Sequence, residues 1–375
     1  MAKSLRTEPL LVQCPSLPDR EVLNSYIDKV YEAKWITNNG QLVQELEQSL
    51  TEFLDVPYLV LTSNGTAALQ LALKLYDIEK EVVTTPFTFA ATGQAINWVG
   101  AKAVFADIDS KSLCLSPSSV ADQITTKTQA ILPVNVYGRT AHNQEFENLA
   151  RKHNLKLIYD GAQSFAAPSL HQKLALNSGD ATALSFHATK VFNTIEGGAL
   201  ILKSKEDYLK AKALINFGFS AGLPGKVGTN AKMNELEAAF GLANLKDIEY
   251  QLTTRKALTE EYLSRLAELE KLKLIRVIKS PNFSYMPVLF RDEATLLSVD
   301  KLLKQHNIFG RRYFHPLQPG CELESTAVAQ AISSTAFCLP LHTNMTIKCV
   351  NEVVEIIKQA LELTQSDFSN LNEVG

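Results

Sequence analysis

Lys190 lies inside SFHATKVFNTIEGGAL (residues 185–200), between a strand-like run at Ala181–Phe186 and another at Gly198–Lys203. A lysine in a tight connection between two core strands is placed to work as an amine nucleophile. Three further segments carry complementary chemistry. Asp160 ends the apolar run Leu155–Tyr159, where a carboxylate is desolvated unless something positive meets it. In SNGTAALQLAL (63–73), Asn64 and Gly65 lead into a helix beginning near Thr66, and the N–H groups and dipole at such a helix end suit an anion. In TTPFTFAAT (84–92), Phe87 and Phe89 offer an aromatic face to a planar ring.

One cofactor chemistry uses all four. Pyridoxal phosphate needs an amine for its Schiff base, a carboxylate to keep its ring nitrogen protonated, an apolar face to stack on, and donors for its phosphate. Each requirement has a candidate at the end of an expected strand, which is where open α/β sheets collect ligands.

The elements that must position these residues alternate along the chain. Helix-like patterns at 44–54, 66–75, 88–99 and 143–153 interleave with strand-like runs at 58–62, 82–85, 103–107, 130–136 and 155–159. That order predicts an α/β fold, a mostly parallel sheet covered by helices on both faces. Met233, Leu236, Phe240 and Ala243 share one face of an expected long helix that continues past Leu252 and bridges to a smaller α+β domain. The division expected is a large domain, 1–250 with the N-terminal segment, and a small C-terminal domain, 251–375.

Composition narrows the functional classes. The 375 residues are 46% hydrophobic and carry 37 basic against 40 acidic side chains, a net charge of −3, which gives no electrostatic case for nucleic acid. No apolar run has the length of a signal peptide or a membrane span, and the five cysteines show no CxxC pair. A cytoplasmic protein is expected, with no metal site among seven scattered histidines.

Taken in order, SNGTAALQLAL, TTPFTFAAT, FADID, YDGAQS, SFHATKVFNTIEGGAL and GTNAKMNELEAAFGLANL resemble the DegT/StrS-type sugar aminotransferases, from KWITNNGQLVQELEQSL to LPLH at 339–342. The resemblance implies a fold type I pyridoxal-phosphate enzyme, working as a homodimer with shared active sites. By the same resemblance Lys190 holds the cofactor and shuttles a proton, Asp160 pairs with the ring nitrogen, Gln163 lies near the phenolic oxygen, and Phe89 stacks on the ring. Ser185, Gly65 and Thr66 would hold the phosphate, with Asn230 reaching it from the partner subunit. Two positions depart from the family pattern: Gly161, where alanine is usual, and Lys232, where arginine is common. A related branch replaces the lysine with histidine; here the lysine is present, so His187 reads as a loop neighbour that packs or hydrogen-bonds.

Members of this family move an amino group, usually from glutamate, onto a keto sugar linked to a nucleotide diphosphate. In GRRYFHPLQP (310–319), Arg312, Tyr313 and His315 are the candidate substrate contacts, with Arg311 beside them. KWITNNG together with RRYFHPL looks most like enzymes that aminate dTDP-4-keto-6-deoxyglucose at C4. A 3-keto isomer, a sugar dehydratase or lyase, and a non-catalytic regulatory relative remain alternatives.

Overall fold

A computed structural model describes residues 6–166, 175–220, 223–322 and 324–372. After the short strand β1 (Leu10–Leu11) come β2 (Tyr58–Thr62), β3 (Glu81–Thr84), β4 (Lys102–Phe105), β5 (Thr128–Leu132), β6 (Lys156–Asp160), β7 (Ala181–Ser185) and β8 (Gly198–Leu202). The last seven form one sheet in the order β2-β8-β7-β6-β5-β3-β4. Its pairs from β4 to β7 are parallel, and β8 runs antiparallel to both β2 and β7. Strands buried on both faces have no polar side to show, so GALIL in β8 is buried throughout. Six strands therefore end at one edge, and β8 begins there.

The apolar stripe of helix Gln41–Leu54 and the small-residue face of helix Glu235–Lys246 cover one side of the sheet in a single core with Leu59, Leu184 and Ile201. On the other side, helix Gly65–Leu75 packs with Val60, Ile158 and Leu200. Its start is fixed by Asn64, whose side chain accepts from Ala67 N at 2.8 Å.

The expected long helix from Met233 is two helices, Glu235–Lys246 and Ile248–Lys271, meeting at Asp247. Its expected face is also corrected. Leu236 is 50% exposed, Met233 is buried ahead of the helix, and the packed side is Ala238, Ala239, Leu242 and Ala243. Asn234 and Glu237 close a capping box that starts the helix after Met233.

A second core is built on the antiparallel sheet of strands Ile275–Val277, Met286–Phe290 and Ala336–Leu339, with helices Glu293–Gln305 and Ile347–Asn372. The division expected at residue 250 falls within helix Ile248–Lys271, which contributes Ile248 to the first core and Leu258, Tyr262 and Leu266 to the second. The N-terminal strand departs from that division. β1 pairs with strand Ile308–Phe309, and Leu10 packs in the second core.

The β7–β8 connection is locked against the turn after β2 by glycine. A Cβ on Gly198 would stand 2.6 Å from the Asn64 carbonyl carbon and 2.7 Å from Gly65 N, and backbone cannot yield as a side-chain tip can. Gly198→Ala should therefore destabilise the fold by about 1–3 kcal/mol. Chemical denaturation measures this, and an unchanged midpoint would mean that the turn can shift without cost.

Candidate active site at the carboxyl edge of the sheet

The edge where six strands end forms one wall of a cavity of about 300 Å³. Gly65, Thr66, Phe89, Asp160, Gln163, Ser185, Lys190 and Tyr313 all line it. Asn230, Arg312 and His315 do not line it. Parallel topology explains the gathering, because residues that follow β2, β3, β6 and β7 are far apart in the chain but share one edge of the sheet.

Asp160 is the last residue of β6 and is 5% exposed. Its Oδ2 accepts from Thr92 Oγ1 at 2.7 Å and its Oδ1 from Ala162 N at 3.1 Å, while Thr92 shares a 2.7 Å hydrogen bond with Thr88. Burial raises the carboxyl above its ordinary range, against those hydrogen bonds and the Lys190 charge, which favour the ionised form. Lys190 keeps some surface toward the cavity, yet its ammonium is desolvated. That lowers it to about 8, with only the attraction of Asp160 opposing the shift.

The anion cradle is assembled by close approach. A Cβ on Gly65 would stand 2.8 Å from Ser185 Cβ, so glycine lets the start of helix Gly65–Leu75 come against the end of β7. Of the two phenylalanines, Phe87 is fully buried, edge-on to Tyr137 and Phe314, whereas Phe89 is 59% exposed and lines the cavity. His187 sits at the cavity wall, with Nδ1 2.9 Å from Thr189 Oγ1 and Nε2 3.7 Å from Glu196.

Around the ring of the cavity, Gln163 Oε1 accepts from Tyr137 N at 2.6 Å, and Tyr285 stands edge-on to Tyr313 at 5.6 Å. Arg311 lies over the Tyr313 ring at 5.0 Å and lines the cavity. Among the described residues it has no acidic partner. Arg312 points elsewhere, bound to Glu293 Oε1 at 2.6 Å and Ser334 O at 3.1 Å, and His315 Nδ1 meets Ser333 Oγ at 3.2 Å. Of adjacent arginines, the chain alternation at a short β-bridge sends one to the cavity; Arg311 is the one bridged to Cys338.

Both departures from the family pattern have local settings. A Cβ on Gly161 would stand 2.7 Å from Thr182 Cγ2, so the threonine methyl takes the room that an alanine would need. Lys232 Nζ meets Asn216 Oδ1 at 3.0 Å and lies over the Phe217 ring. The sequence alone did not single out Thr92 or Tyr285. Thr92 had one available signal, its i, i+4 spacing from Thr88 in TFAAT.

Residues 19–358 match the DegT/DnrJ/EryC1/StrS aminotransferase family. A dTDP-4-amino-4,6-dideoxy-D-glucose transaminase of Shigella dysenteriae is 38% identical over 94% of this chain and 99% of its own. One from Escherichia coli is 34% identical over 92% and 96%. The crystal structure of DesI in the presence of its TDP-sugar product superposes with a TM-score of 0.90 at 31% identity, covering 97% of each chain. With the family pattern spanning nearly the whole chain, the protein belongs to the DegT/DnrJ/EryC1/StrS aminotransferase family.

Proposed function

We propose that the protein is a pyridoxal-phosphate-dependent aminotransferase that moves an amino group from L-glutamate to C4 of dTDP-4-keto-6-deoxyglucose. The observation that carries this reading is Lys190 and Asp160 on one cavity, in a chain 38% identical to a transaminase named for that sugar's product. The residues present fit the cofactor. Asp160 is a buried carboxylate met by two neutral donors, with no ion-pair partner within 4.0 Å among the described residues, so a protonated ring nitrogen supplies the positive group it lacks. Opposite it, the helix N-terminus at Gly65 and Thr66 with the Ser185 hydroxyl suits a phosphate.

When bound, pyridoxal phosphate supplies an electron sink for the carbon that gains or loses the amine. Lys190 contributes a nucleophile and then a proton carrier between donor and acceptor carbons. Asp160 would hold the ring nitrogen's proton in place by charge, Phe89 would cover a ring face, and Gln163 would direct an amide toward the ring oxygen. Glutamate leaves as 2-oxoglutarate before the keto sugar enters, so ping-pong kinetics follow. Asn230 is exposed and does not line its own cavity, which suits a homodimer in which it completes the partner's phosphate site. Trp35, Ile36, Phe217 and Leu236 are half or more exposed, and they supply apolar surface for such an interface. Five free thiols suit the cytoplasm.

Both substrates are anions that use the cavity in turn, and Arg311 is its unneutralised guanidinium. Arg311→Ala should lower kcat/KM about 10–100-fold in steady-state assays, whereas Arg312→Ala, which loses the Glu293 pair, should leave it near wild type. Equal losses would place the anion contact elsewhere.

Lys190 must be neutral to attack an aldehyde. Because its pKa falls to about 8, the rate at which cofactor-free protein develops a visible band with pyridoxal phosphate should rise with pH through a midpoint near 8. An unshifted lysine would put that midpoint near 10.4. Lys190→Ala should form no such band and lose at least about a thousandfold in turnover.

The whole reading is tested by the spectrum of the loaded protein. L-glutamate should bleach the band and dTDP-4-keto-6-deoxyglucose restore it. Restoration only by the 3-keto isomer would move the amination to C3. Sugar consumption without glutamate loss would replace transamination with elimination.

A further inference from the structure

Asn282 belongs to the second half of the chain, yet it is 1% exposed and bonded to the loop that follows β6. Its Nδ2 donates to Gln163 O at 2.7 Å and to Phe165 O at 2.9 Å. Its Oδ1 accepts from Ser284 Oγ at 2.7 Å, and the two carbonyl oxygens, which can only accept, fix which end of the amide faces them. Ser280 Oγ donates to Tyr137 O at 2.8 Å, so the same short loop also holds the residue whose N–H binds the Gln163 side chain. Tyr285 closes the loop at the cavity. Burial raises its phenol, and the charges of Arg255 and Arg311 oppose the shift.

Tyr137 and Gly138 show why this grip needs a built setting. Tyr137 has φ 55° and Gly138 φ 75°, and a Cβ on Gly138 would stand 2.4 Å from Asn282 Oδ1. The left-handed pair turns the Tyr137 N–H toward Gln163 and clears room for Asn282.

We propose that Asn282 is a positioning residue that pins the Gln163 backbone, so that the Gln163 amide is presented to the ring oxygen of the cofactor. The proposal rests on the cofactor reading above and deepens it. Asn282 touches neither cofactor nor substrate; it acts from the second core through one backbone carbonyl. Asn282→Asp keeps the shape but turns two donors into acceptors that face two carbonyl oxygens.

The test is a pH titration of the visible band in cofactor-loaded protein, with pyridoxal-phosphate affinity of the cofactor-free protein measured alongside. Loss of a donor to an ionised oxygen raises the pH at which the chromophore gives up its proton. Gln163→Ala should raise the midpoint by about one pH unit, and Asn282→Asp should approach the same value. Each should weaken cofactor affinity about tenfold. The double variant should move the midpoint no further than Gln163→Ala alone, because both act on one contact. Ser284→Ala, a milder change that keeps the Asn282 donors, should give a smaller shift in the same direction and guards against failure of Asn282→Asp to fold.

If Gln163→Ala moves the midpoint while Asn282→Asp and Ser284→Ala leave it in place, the inference falls and the cofactor reading stands. If shifts from Asn282→Asp and Gln163→Ala simply add, Asn282 acts by another route and the inference again falls. If wild-type protein forms no band with pyridoxal phosphate, the cofactor reading falls, and the inference with it.

Discussion

Asp160 holds a carboxylate at the end of an apolar strand, 5% exposed, where an ionised group without a counter-charge costs several kcal/mol. Two neutral hydrogen bonds reduce that cost without cancelling it. The position is stable only because the surrounding structure overdetermines it. β6 is central in the sheet, paired with β5 on one side and β7 on the other, so its end cannot swing toward water. Thr92 reaches Asp160 from helix Ala90–Trp98, and Thr88 backs Thr92, so two elements orient one carboxylate. The acid kept in this way lines the cavity.

The lysine opposite is governed by the same desolvation with the sign reversed. Water exclusion raises Asp160 and lowers Lys190, and each opposes the other's shift by attraction. The two are therefore not independent features of the site. A hairpin that opened to solvent would return Lys190 to an ordinary ammonium, a poor nucleophile at neutral pH. Glycines at 65 and 198 prevent that by letting backbone pack on backbone, closer than any side chain would allow.

Much of this could be read from the sequence because it is local. Alternating strand-like and helix-like runs with polar residues at the strand ends placed Asp160, Lys190, Phe89 and the Gly65 turn at one edge, and the family resemblance added Ser185. What the sequence hid depends on contacts between distant segments. Phe87 and Phe89 are equivalent in composition, and only packing against Tyr137 and Phe314 buries the first and leaves the second facing the cavity. Arg311 and Arg312 are adjacent, and their directions are set by Cys338 and Glu293, which lie 27 and 19 residues away. The continuous apolar pattern from Met233 likewise concealed the break at Asp247, because helix period alone does not mark where one helix gives way to another.

Arg255 shows how the second core reaches the site. It is 1% exposed on the helix that joins the cores, and no carboxylate pairs with it among the described residues. Its guanidinium instead donates to Leu341 O at 3.0 Å, Gln13 Oε1 at 3.4 Å and Phe283 O at 3.5 Å. Burial lowers it to about 10, so it stays charged at neutral pH, and burial together with that charge lowers His342 to about 4 and keeps it neutral. Phe283 is next to Asn282. One loop is thus fastened on its far side by a buried guanidinium and on its near side to the carbonyls of Gln163 and Phe165. The Gln163 side of the cavity is therefore completed by the loop that carries Asn282 and Tyr285, and its geometry depends on that loop as much as on the sheet edge itself.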